Sequence, residues 1–184
     1  ERIWLPNTDG AALTNSTSQT SLLPTAFKTI AFPVGDFDAP TKAIRFGIHF
    51  RISTVVTTPG TLALAIRLTS TDIFSSGLMT LNVVAKTNVS AYFSGELHCR
   101  AVGGGTATTF FPIGCLFSSE AVIGSAVPTA GGVGTHILPY NTAPVVGTGV
   151  DNGVAHNLDI LGTWSVASAS NSITMHGGFI DRLT

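Results

Sequence analysis

The sequence predicts an all-β protein: an antiparallel two-sheet sandwich, jelly-roll-like, with about eight strands and an extended N-terminal arm. Three observations carry this. Apolar residues recur at every second position in several segments. Gly, Pro, Asn and Ser cluster between those segments. No stretch of about eleven residues repeats its apolar positions with a 3.6-residue period. A period of two sends successive side chains to opposite faces, so each strand is apolar on one face and wet on the other, as in antiparallel sheets packed on one side. An immunoglobulin-like sandwich is the second choice on the same pattern.

The clearest strand is 44–52, where Ile44, Phe46, Ile48, Phe50 and Ile52 alternate with Arg45, Gly47, His49 and Arg51. Residues 61–69 repeat this, with Leu62, Leu64, Ile66 and Leu68 opposed to Ala63, Ala65 and Arg67. Thr57-Thr58-Pro59-Gly60 between them is a turn signal, because Pro presets φ and Gly accepts a positive φ. Residues 42–69 therefore read as one long hairpin. A second hairpin is expected over 91–118. Its first strand turns Phe93, Leu97 and Cys99 inward and Tyr92, Glu96, His98 and Arg100 outward. After Gly103-Gly104-Gly105, the second strand carries Phe111, Ile113, Cys115 and Phe117 on its inward face. A third hairpin is expected over 153–183, with Val154, Leu158, Ile160, Trp164 and Val166 before a turn at 168–171 and Ile173, Met175 and Phe179 after it.

Shorter strands are expected at 27–32, 78–85 and 133–138, and loops at 124–134 and 141–152. The predicted core is Phe46, Ile48, Phe50, Leu64, Ile66, Leu97, Phe111, Leu158, Ile160 and Trp164. Residues 1–20 read as an arm outside a single domain of residues 21–184, since 7–19 are rich in Thr, Ser and Asn. Ile3, Trp4 and Leu5 would anchor that arm on a neighbouring subunit, on another partner or on the domain itself.

A chain of 184 residues buries enough surface to fold without metals or disulfides. Only 10% of its residues are charged, against a usual ~25%, while 44% are hydrophobic. The missing charges are replaced by Thr, Ser, Gly and Asn, which gives a polar but uncharged surface. Interface cores are depleted in charge because ions are costly to desolvate. The composition thus predicts self-association or particle docking with weak salt dependence; a secreted monomer with a Thr/Ser-rich skin is the other reading. Net charge is -1 and the nine Lys and Arg are dispersed, so the clustered cations of a nucleic-acid binder are absent. No apolar run approaches the ~20 residues of a membrane span. The sequence begins at Glu1 rather than Met, which leaves room for processing or truncation.

Chemistry-bearing motifs are scarce. His49, His98, His136, His156 and His176 show no HxH or HExxH spacing. Glu96 and His98 share a strand face, a pair that reads as solvated polar surface rather than a metal site. There is no GxSxG, and Gly103–Gly105 lacks the GK[ST] of a phosphate loop. Asp36 and Asp38 lie in a turn, and Glu96 and Glu120 are isolated. No catalytic residue, cofactor or metal is expected. Cys99 and Cys115 lie on adjacent expected strands, as a cross-strand disulfide or as two buried free thiols. The thiol reading is preferred, because cross-strand neighbours bridge poorly. With Trp164 read as core and Trp4 as an anchor, Tyr92 and Tyr140 are left as platforms for a sugar. Asn15-Ser16-Thr17 and Asn88-Val89-Ser90 match glycosylation sequons.

Four segments carry a family likeness: Ile3–Gly10 (IWLPNTDG), Arg51–Leu62 (RISTVVTTPGTL), Leu81–Val89 (LNVVAKTNV) and Phe117–Ala126 (FSSEAVIGSA). They resemble a group of virion-associated proteins of tailed bacteriophages and environmental phage genomes. The resemblance covers most of the chain and is weakest around 131–152. It implies a virion protein on the capsid exterior, as decoration, cement or spike. The implied partners are itself, preferably as a trimer by analogy with proteins at threefold positions, and a major capsid or other virion protein. It implies no catalytic residue, nucleic acid or membrane. The alternatives are a shell-forming jelly-roll capsid protein and, in another class, a secreted carbohydrate-binding or adhesive module.

Overall fold

The computed structural model describes residues 1–55, 58–124, 134–140 and 142–183. The strands are β1 (Arg2–Trp4), β2 (Leu13–Thr14), β3 (Thr20–Ser21), β4 (Ala31–Phe32), β5 (Ala43–Thr54), β6 (Thr61–Leu68), β7 (Thr71–Ser75), β8 (Met79–Thr80), β9 (Lys86–Ala101), β10 (Thr108–Ser118), β11 (Thr135–Leu138), β12 (Gly147–Val150), β13 (His156–Trp164) and β14 (Ser172–Leu183). A single 3₁₀ turn, Thr25–Phe27, is the one helical element among the described residues.

The strands form two antiparallel sheets. The larger has the order β1-β14-β5-β9-β10-β11, with β12 also on β10 and β2 on β14. The smaller has the order β3-β13-β6-β7, with β4 on β13 and β8 on β6. Eight of these strands nest in a particular way: β1 pairs with β14, β3 with β13, β5 with β9, and β6 with β7. First meets last, second meets seventh, third meets sixth and fourth meets fifth, with successive pairs in alternate sheets. That is the jelly roll. Strands β10 to β12 are inserted between the sixth and seventh of the eight and widen the larger sheet.

The core lies between the sheets. Of the ten expected core side chains all are buried except Phe111. Phe93 of the larger sheet meets Phe74 of the smaller at 5.6 Å between ring centres, and Phe46 at 4.7 Å. A second aromatic group joins Phe37 to Phe32 at 5.3 Å and to Phe110 at 4.8 Å. Burying each such ring stabilises by about 1.5–3 kcal/mol.

Two expected hairpins are corrected. The segments 42–69 and 153–183 each contain two strands, but the two do not pair. β5 pairs with β14 and β9, whereas β6 pairs with β13, β7 and β8. Both connections cross from one sheet to the other. Asn171 ties them together from a fully buried position. Its side-chain amide donates to Pro59 O at 3.2 Å and Val166 O at 3.5 Å, and its Oδ1 accepts from the Val55 amide at 2.9 Å. Thr57 of the expected turn lies outside the described residues. Of the three expected hairpins, 91–118 alone forms, β9 with β10.

The N-terminal segment also differs from expectation. β1 and β2 pair with β14 and β3 pairs with β13, so residues 1–20 close the edges of both sheets of their own domain. Trp4 is 5% exposed and donates its indole N–H to Phe27 O at 2.9 Å. Ile3 packs beside it on the core and Leu5 is exposed. The expected partner anchor is thus spent internally, because the first strands of a jelly roll pair with its last ones. Of the shorter expected strands, 27–32 holds the last residue of the 3₁₀ turn and β4, 78–85 holds only β8, and 133–138 corresponds to β11. β12 falls in an expected loop. The loop expected at 124–134 lies mostly outside the described residues.

Candidate interaction face

On β10 the alternation points the other way from the expected one. Phe110 and Leu116 face the core, and Phe111, Ile113, Cys115 and Phe117 face outward. Both sets of this strand are apolar, so the pattern alone gives no inward direction. The partner strand fixes it: Ile113, Cys115 and Phe117 stand opposite Glu96, Ser94 and Tyr92 on the wet face of β9. Phe111 lies beneath the Arg100 guanidinium, 4.0 Å from its ring centre. β11 adds Ile137, opposite Cys115. Ile137 is 80% exposed, Ile113 50% and Phe117 41%. Together they make an uncharged apolar patch on the outside of the larger sheet.

The patch continues into a flatter area over β9, β5 and β14. Directly opposed residues form rows across these strands. One row is Ile137, Cys115, Ser94, Gly47 and Phe179. Phe179 faces outward because a bulge between Met175 and Gly177 reverses the alternation of β14. Gly47 leaves room for these side chains: a Cβ would come within 2.2 Å of the Tyr92 hydroxyl and 2.6 Å of the Phe179 ring. A second row is Ile113, Glu96, Arg45, Asp181 and Arg2. Its charges alternate and are paired within the chain, Arg45 with Glu96 at 2.7 Å and Arg2 with Asp181 at 2.8 Å. The Arg2 guanidinium holds the Asp181 carboxyl below its usual range, chiefly by direct hydrogen bonds. A third row sets Phe117 beside Tyr92 and His49, whose rings are 4.6 Å apart. Open depressions separate these side chains; the one bounded by Ile137, Ile113, Cys115, Gly95 and Glu96 holds about 300 Å³.

The outside of the smaller sheet is unlike this. The N-terminal segment runs over its edge, Ser21 donates to Asp159 at 2.6 Å, and Arg67 binds Asp72 at 2.6 Å and Gln19. Leu161 and Ala65 there are buried and Ala63 is half-buried.

The remaining candidates from the sequence are placed as follows. Cys99 and Cys115 are free thiols, not a disulfide. Cys99 points into the core opposite Phe110, and Cys115 points outward opposite Ser94. Five residues of β9 separate those levels, about 16 Å of strand, beyond the 4.4–6.8 Å between Cα atoms that a disulfide spans. Burial pushes the Cys99 thiol up, which keeps it unreactive. Glu96 does meet His98 at 3.0 Å, but its other oxygen is held by Arg45. No three His, Cys, Asp or Glu converge on a metal-sized site among the described residues. Both Trp side chains are buried, Trp164 donating to Leu13 O at 3.1 Å, so neither offers a flat ring to a sugar. Tyr140 packs partly on the core and Tyr92 lies against His49. Sequence reasoning missed Ile137 and assigned β10 to the wrong side; its one available signal was a strand apolar on both faces.

Fold and face together define a jelly-roll β-sandwich whose larger sheet carries an exposed apolar patch beside a row of paired charges. No family model and no curated protein matches the chain. Among solved structures, the CBM2 module of the evolved Dit protein of Lactobacillus casei BL23 phage J-1 aligns over 82% of this chain and 66% of that one. Identity is 8% and the TM-score 0.26, a likeness that fixes neither fold nor role.

Proposed function

We propose that this protein is a structural component of a virion that acts through protein–protein contacts, as a capsid decoration, cement or spike protein, and that it works as a homo-oligomer. The observation that carries the contact role is the outer face of the larger sheet. Ile113, Phe117 and Ile137 stand exposed there, Arg45, Glu96, Arg2 and Asp181 of the same face are paired within the chain, and Arg100 lies over the Phe111 ring. A partner can cover such a face without stranding an ion, the costly case in burial. Exposed contiguous apolar surface of this kind marks interaction sites. The virion setting is supported by the likeness of the Ile3–Gly10, Arg51–Leu62, Leu81–Val89 and Phe117–Ala126 segments to tailed-phage proteins. The protein is not an enzyme on this reading and needs no cofactor, nucleic acid or membrane. The test is to probe density-gradient fractions of the particles made from the genome that encodes the chain. The chain is expected in the particle band, in a fixed ratio to the major capsid protein. Recovery only at the top of the gradient, or retention on a glycan column, would move the assignment to a secreted binding module.

A further inference from the structure

We infer that two copies of this chain pair face to face through the outside of the larger sheet, about a two-fold axis running along the strands between β5 and β9. This rests on the contact role proposed above and names both the partner and the face. A two-fold at that place exchanges β9 with β5, β10 with β14 and β11 with β1, while each row of opposed residues faces the same row of the other copy.

The charged row decides the choice of partner. Glu96 and Arg45 flank the axis, so Glu96 falls opposite the partner's Arg45, and Arg45 opposite the partner's Glu96. With the pair inside each chain, four charges then alternate in sign around the axis. A second copy supplies this reversed pair automatically. In the next row Ser94 meets the partner's Gly47, over which the Tyr92 hydroxyl and Phe179 ring of that chain lie. Farther out, Cys115 meets the partner's Phe179, and Ile137 reaches over the partner's first strand. Ile113 falls opposite the partner's Asp181, whose carboxylate stays paired with its own Arg2.

The area agrees. Four strands with about seven facing residues each, flanked by the three residues of β1 and the four of β11, span roughly 550 Å² at about 4.8 Å between strands and ~3.3 Å per residue, about 1,100 Å² over both partners and just above the ~1,000 Å² that a specific interface needs. Burial of the flanks supplies most of the affinity, since exposed ion pairs add little. The charges fix the register and reject other arrangements.

The experiment is sedimentation and light scattering on the full chain across micromolar concentrations. A dimer is expected. Ile137→Glu and Ser94→Trp are each expected to weaken it at least tenfold, with far-UV circular dichroism and the thermal midpoint unchanged. Ile137→Glu, at an exposed position, decides the matter should Ser94→Trp disturb folding. A double variant, Arg45→Glu with Glu96→Arg, inverts the pair but keeps it intact. It is expected to pair with itself and to refuse wild-type chains when labelled samples are mixed and read by energy transfer. A monomer at all concentrations, a trimeric mass, a dimer indifferent to Ile137→Glu, or free mixing of the two charge patterns each overturns the pairing. Gradient fractionation separates this from the proposed function. Monomers in the particle band would overturn the pairing alone. Dimers excluded from the particle band would overturn the virion role alone.

Discussion

The connections from β5 to β6 and from β9 to β10 begin from the same kind of sequence and end as different structures. Each joins two alternating apolar strands through a short Gly-containing turn. The second is a hairpin within one sheet; the first crosses between sheets. What separates them lies elsewhere in the chain. The crossing is held by Asn171, more than a hundred residues away, and by Ser165, whose hydroxyl accepts from the Thr61 amide at 2.7 Å. The hairpin closes on itself, with Thr108 bonding both the N–H and the carbonyl of Gly103. A local turn signal says that the chain reverses, and the partner of each strand is settled by which faces must be buried together.

The largest expected effect tests the facing of the hairpin. Phe110→Ala should cost about 3–5 kcal/mol, as a fully buried ring, and Phe111→Ala under about 1 kcal/mol, as a surface ring. Urea denaturation midpoints check this; equal losses would mean that β10 faces the other way. Next comes the pin of the crossings. Asn171→Ala leaves the Val55 amide and the Pro59 and Val166 carbonyls without their partner, an expected loss of about 2–4 kcal/mol. An unchanged thermal midpoint in that variant would show that the crossings hold without it.

The two turns can also be compared glycine by glycine. Gly60 has a φ of 78°, and a Cβ there would come within 2.4 Å of Ser165 Oγ; Gly104 has open space around it. Gly60→Ala should therefore destabilise by about 1–3 kcal/mol, and Gly104→Ala by less than about 0.5 kcal/mol. Thermal unfolding of the two single variants sharpens the contrast, and equal effects would dissolve it.

The smallest expected effect concerns the N-terminal strand on β14. Hydrogen bonds from Arg182 hold the Glu1 carboxyl below its usual range, and those from Arg2 do the same for Asp181. Groups with lowered values contribute stability that is complete above the ordinary carboxylate range and is lost as the pH falls through the lowered one. Amide exchange in Arg2–Trp4 should quicken below about pH 4, and Arg2→Gln should flatten that dependence. Exchange independent of pH, after correction for its intrinsic rate, would show that apolar packing of Trp4 alone holds the strand.

Much of the fold was legible in the residues. Alternation found the long strands β5, β6, β9, β13 and β14, and the inward faces of the first three, because a half-buried strand must repeat every second residue. It failed in three places for physical reasons. On β10 both faces are apolar, one for the core and one for solvent or a partner. On β14 a bulge reverses the alternation partway, so Phe179 leaves the face of Ile173 and Met175. In the first twenty residues the strands are two or three residues long, too short to show any period.

By itself, the sequence determined that this chain makes antiparallel sheets, that its surface is poor in charge and that it carries no recognisable catalytic motif; these depend on residue type and on spacing of two. Only the tertiary structure decided which strands pair, that Trp4 is core rather than anchor, and that Ile113, Phe117 and Ile137 share one exposed face. Those depend on contacts between residues far apart in the chain, such as Asn171 with Val55 and Pro59, and a local period carries no information about what lies across the sandwich.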